Sequence, residues 1–140
     1  MTIVEFLTAR YDETERSERS KYSVAVSKLY TWTIGFGRVE VQEHPDGPWK
    51  YLIRDEFHDQ YCEPNPDERA LADIAAKRAI IGEHPMEEVA SLDRETRGQV
   101  FIVCRRCRVG ERQIVYPCPT LRLLAAPYSD HPAYQQEWAR

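Results

Sequence analysis

The sequence predicts an α+β fold, and three observations carry that expectation. Apolar residues recur at helical spacing near the N-terminus, in the middle of the chain and again after Cys118. Between Tyr22 and Tyr61, short runs alternate aromatic and β-branched residues with polar ones, as half-buried strands do. A V-F-I-V-C run then enters a C-x-x-C knuckle, and a third cysteine stands just before Pro119-Thr120. At 140 residues the chain suits one domain and is too short for two of average size. No repeat, low-complexity tract or linker divides it, so a single domain over 1–140 is expected.

Taken in order, Thr2-Ile-Val-Glu5 fits a capping box, in which Thr2 accepts from a backbone N–H and Glu5 reaches back to the cap. Ile3, Phe6, Leu7 and Tyr11 follow on one face, predicting a helix from residue 3 to about 19. Its second half alternates charges and reads as a solvated helix with pairs such as Glu15–Arg19. Y-T-W-T-I-G-F-G, R-V-E-V-Q-E and P-W-K-Y-L-I-R-D predict an antiparallel meander, with His44 to Gly47 as a turn and Trp32, Phe36, Trp49 and Tyr51 as core candidates. Tyr22–Leu29 reads equally as helix or strand.

Asn65-Pro66-Asp67-Glu68 predicts a helix start: a capping Asn, a Pro at the first helical position, and two acids that complement the dipole. Leu71, Ile74, Ala75, Arg78 and Ile81 line one stripe, and Gly82 and Pro85 end the helix near His84. Met86, Val89 and Leu92 suggest a second, shorter helix from Pro85 to about Arg94. After Gly98, Val100–Cys104 and Gln113–Tyr116 read as two strands flanking the knuckle. Cys118 opens a helix with Leu121, Leu124 and Ala125 inward, and Tyr134 and Trp138 form an i,i+4 aromatic pair in a terminal turn.

Composition narrows the function classes. Aromatic and aliphatic content argues against wholesale disorder, and a net charge of −4 leaves no chain-wide basic field for nucleic acid or anionic membrane. The N-terminal residues lack the basic and apolar regions of a secretory signal, and no apolar run is long enough to span a bilayer. A soluble cytoplasmic protein is expected, where cysteines more often bind metal or stay free than pair.

Cys104, Cys107 and Cys118 then read as metal ligands, with structural Zn2+ the default occupant. The knuckle brings two thiolates to one ion, a short hairpin returns the chain, and Cys118 sits where a helix N-terminus favours a thiolate. The arrangement is treble-clef-like, but the usual fourth ligand from the final helix is replaced here by Leu121 and Arg122. His84 is the favoured fourth ligand and His131 the second candidate; His44 sits in a turn, His58 in an acidic segment, and lone Cys62 reads as an inert small residue. Zinc would staple a subregion of about 66–128. Buried free thiols and a redox C-R-R-C dithiol stay open as alternatives, although the βαβ context of a redox motif is missing.

Three blocks also resemble a known family: I-V-E-F-L-T-A-R-Y-D-E, N-P-D-E-R-A-L-A-D-I-A-A-K-R-A-I-I-G-E-H, and Y-P-C-P-T-L-R-L-L-A-A-P-Y-S-D-H-P-A-Y-Q-Q-E-W. They are similar to a small-protein family of actinobacteria and their phages catalogued as domain of unknown function 6221. Its G-P-W matches Gly47-Pro48-Trp49, and its pattern includes His84, the C-x-x-C pair and Cys118. The resemblance supports that ligand set and implies no activity.

Three functions are therefore weighed. A closed four-ligand zinc leaves no position for substrate, which favours an interaction or adaptor module with a protein partner, a host protein if the source is a phage. Arg105, Arg106, Arg108 and Arg112 decorate the knuckle and make nucleic-acid contact the alternative. A zinc enzyme would need an open site with three Cys ligands and a base such as Glu83; no recognised catalytic motif accompanies it.

Overall fold

A computed structural model describes residues 1–91, 95–108 and 114–139. The chain is α+β: α1 (Ile3–Arg19), β1 (Tyr22–Val24), β2 (Thr31–Gly35), β3 (Arg38–Gln42), β4 (Lys50–Ile53), α2 (Arg54–Tyr61), β5 (Cys62–Pro64), α3 (Glu68–Glu83), β6 (Met86–Ala90), β7 (Val100–Cys104) and α4 (Pro119–Ala125). Contacts gather into two compact units, Met1–Glu15 with Arg69–Arg140, and Arg16–Glu68. Among the described residues no helix is long and apolar enough to cross a membrane.

In the first unit, α1 opens on the expected capping box: Thr2 N–H donates to Glu5 Oε2 at 2.7 Å and Glu5 N–H to Thr2 Oγ1 at 3.2 Å. Ile3, Phe6, Leu7 and Tyr11 are buried with Ile74 of α3, Leu121 and Ala125 of α4, and Tyr134 and Trp138. Cys104 and Cys118 belong to the same core. Tyr134 and Trp138 meet edge to face at 5.5 Å, as their spacing predicts. Outside this core, Arg78 of α3 binds both Asp12 and Glu15 of α1 at 2.5 Å.

α3 begins at Glu68, so Asp67, not Asn65, is the residue before its first turn. The Asn65 N–H donates to Lys21 O at 2.9 Å, one position beyond Tyr22↔Pro64, so Asn65 still continues the β1–β5 pairing. The helix expected over Pro85–Arg94 is instead strand β6 in its described part. It pairs antiparallel with β7 over five positions, Met86↔Cys104 to Ala90↔Val100. A helix of two turns is marginal alone, whereas β7 offers a full ladder of partners. Of the expected return strand, Gln113 lies outside the described residues; Val115 forms only a bridge with Val103.

In the second unit the meander is realised as the sheet β2–β3–β4, antiparallel throughout. β1 pairs with β5, which settles the undecided stretch as a short strand followed by a 3-10 turn at Val26–Lys28. The expected aromatic core is not what fills it. Phe36, Trp49 and Tyr51 are exposed and Trp32 is half-buried; the core is Leu29, Val39, Val41, Phe57 and Tyr61. Two of those belong to α2, which the sequence reading did not foresee. Phe57 and Tyr61 are its only large apolar residues, four apart, and Asp55 and Glu56 complement its N-terminal dipole.

Candidate metal centre

Each of four donor side chains is placed by a different chain feature. His84 follows α3, its N–H donating to Ile81 O at 3.1 Å, and Pro85 prevents another helical turn. Cys104 is the last residue of β7 and is paired with Met86, two residues beyond His84. Its N–H donates to Ile114 O, and Arg105 N–H donates to Pro85 O, both at 3.0 Å. The segment after α3 and the segment before Cys118 therefore lie on opposite sides of β7. A turn carries the chain to Cys107. Cys118 is the N-cap of α4, its carbonyl accepting from Arg122 N–H at 3.1 Å.

These four converge. His84 Nδ1 lies 3.5 Å from Cys104 Sγ, 3.3 Å from Cys107 Sγ and 3.5 Å from Cys118 Sγ. All four donor atoms are within 4.8 Å of one another, the one His/Cys/Asp/Glu group of that kind among the described residues. Cys104 and Cys118 are fully buried, and His84 and Cys107 half-buried. Burial, then hydrogen bonds with Cys104 and Cys118, push the Cys107 thiol up to about 12. Burial, with Cys118 and Cys104 adding to it, raises the Tyr116 phenol as well. Such a cluster can hold a metal ion, and a dication at its centre inverts that balance by favouring every thiolate.

The other candidates are elsewhere. His131 has Nε2 2.6 Å from Arg10 Nη1 and accepts at Nδ1 from Ala133 N–H at 3.1 Å, and its ring packs on Phe6 at 5.5 Å. Both nitrogens are engaged in the helical packing, so it is not the fourth donor of this cluster. His58 stacks edge-on against Tyr22 at 4.1 Å. Cys62 is a half-buried single thiol that burial pushes up. Arg105 and Arg106 are exposed and line a cavity of about 340 Å³ together with Gly82, Glu83 and Pro85. Arg108 lies 3.7 Å from Glu87, and Arg112 is outside the described residues. Acids thus stand beside the arginines that were candidates for phosphate contact.

What the sequence reading missed is the scaffold. Strand β6 sets Met86 opposite Cys104 and so brings His84, two residues earlier, to the knuckle; the only local signal was Pro85 followed by a run too short to decide. A model of the family of unknown function DUF6221 matches residues 1–140, and the chain belongs to that family. No curated protein and no solved structure matches it.

Proposed function

We propose that this DUF6221 member carries a structural zinc ion on His84, Cys104, Cys107 and Cys118, and works as a protein-interaction module. The observation that carries the zinc reading is the set of nitrogen–sulfur distances. A tetrahedral zinc with bonds of about 2.3 Å to sulfur and about 2.0–2.1 Å to nitrogen sets N···S edges of about 3.5–3.6 Å. The three edges here are 3.5, 3.3 and 3.5 Å. One imidazole and three thiolates are a common structural set, softer than magnesium or calcium accept.

Four protein donors fill a tetrahedron, so the ion keeps no position for substrate or activated water. Its role is to join the end of α3, the β6–β7 ladder and the start of α4. Interaction is supported by what that scaffold displays. Met86, Val100, Phe101 and Ile102 are large apolar residues left exposed on a two-stranded sheet. Glu83 and Glu87 beside the knuckle arginines weigh against a phosphate-binding face.

Elemental analysis of protein purified without chelator tests the reading. One zinc per chain is expected, reduced to a small fraction by His84→Ala. Protein that folds with no stoichiometric metal would overturn it.

A further inference from the structure

The β6–β7 sheet leaves one backbone edge open, and that edge has a definite chemistry. Hydrogen-bonding positions alternate along an antiparallel pair. Arg105 N–H donates to Pro85 O at 3.0 Å and Ser91 N–H to Gln99 O at 2.9 Å. With the register Glu87↔Val103 and Val89↔Phe101, the backbone groups of 85, 87, 89 and 91 turn towards β7. Those of Met86, Glu88 and Ala90 face the other way, and no strand lies against them among the described residues. The far side of β7 is taken: Cys104 N–H reaches Ile114 O and Tyr116 N–H reaches Ile102 O, both at 3.0 Å.

The side chains along this edge are equally specific. Met86, Glu88 and Ala90 share a face with Cys104, Ile102 and Val100. Met86 is 53% exposed, Ile102 45% and Val100 58%, with Glu88 and Ala90 exposed between them. β6 carries edge-guarding features in Glu87, Glu88 and the adjoining Pro85, yet the face it shares with β7 has an exposed apolar floor of Met86, Val100 and Ile102. One end is also fixed, because His84 precedes it by two residues and Cys104 is the partner of Met86.

We infer that β6 is a docking edge to which an extended segment of a partner protein adds as an antiparallel strand. That segment carries Lys or Arg opposite Glu88 and apolar residues two positions to either side. The inference rests on the interaction-module reading and supplies the chemistry of its partner. A second copy of this chain is disfavoured, since antiparallel pairing of two β6 strands about their centres sets Glu88 against Glu88. A basic residue there turns the repulsion into a cross-strand pair. Backbone bonds to Met86, Glu88 and Ala90 then supply affinity, and alternate side chains select the sequence.

The test uses the zinc-loaded full chain, with zinc counted on the same sample, so that failure here is separable from failure of the metal reading. Amide resonances are followed by NMR while a blocked Val-Thr-Lys-Thr-Val peptide is added, and in parallel the same peptide with Glu at its centre. Saturable shifts and slowed hydrogen exchange are expected at Met86, Glu88 and Ala90, with the Lys peptide about fivefold tighter. Glu88→Lys, at an exposed position, should reverse that preference. No response of this edge to either peptide, or an equal response to both, would overturn the inference. A dimer formed through β6 without peptide would overturn the choice of occupant.

Discussion

At the scale of single residues, the cysteines are not equivalent, and substitution should separate them. Cys104 and Cys118 have no exposed surface and each supplies one of four donors. Cys104→Ser or Cys118→Ser should empty the site and lower stability by about 4 kcal/mol or more, since metal loss belongs to the most damaging class of substitution. Cys62→Ser should cost about 1 kcal/mol or less and leave the zinc content unchanged. Urea denaturation with metal analysis on the three variants checks both statements. The donors could be read from the sequence because cysteine is rare and its spacing constrains geometry. Core membership could not: Phe36, Trp49 and Tyr51 are bulky enough for a core but lie exposed, while the slimmer Val39 and Val41 face inward.

Glu43 gives a second test at this scale. Hydrogen bonds from Lys50 Nζ at 2.7 Å and from Tyr61 Oη at 2.5 Å hold its carboxylate below the usual range. A depressed carboxylate contributes stability that is present above its unfolded value and lost as pH falls through its folded one. The acid limb of thermal stability, below about pH 4, should therefore flatten in Glu43→Gln. An unchanged slope would show that this network adds nothing to the fold.

At the scale of elements, the β2–β3 hairpin turns through Phe36 and Gly37, with φ of 44° and 78°. Positive φ at both central residues is what a type I′ hairpin turn demands, and Asn suits its first position far better than an aromatic residue. Phe36→Asn should raise stability by about 0.5–1 kcal/mol in denaturant titrations, because Phe36 loses no packing when removed. A loss of stability would mean that Phe36 makes a contact this fold does not contain. Elements with caps or clear period were legible, α1 and the meander above all. β6 and α2 were not, for opposite reasons. The β6 segment has few residues and takes its conformation from β7, whereas α2 carries only Phe57 and Tyr61 to mark its face.

At the scale of the whole molecule, the metal centre belongs to the unit of residues 1–15 and 69–140, and the other unit has a core without any donor to it. Chelation should therefore perturb amides around His84, Cys104 and Cys118 strongly, and those of Val39, Val41 and Phe57 much less. Acid should act as chelator does, because thiolates must give up the ion to take protons. Within the first unit the four donor atoms lie within 4.8 Å of one another, at the meeting of α3, β7 and α4. X-ray absorption at the zinc edge measures that shell directly. Three sulfurs at about 2.3 Å and one nitrogen at about 2.0 Å are predicted. A shell with bound water, fewer than three sulfurs, or no zinc signal at all would contradict a closed structural site.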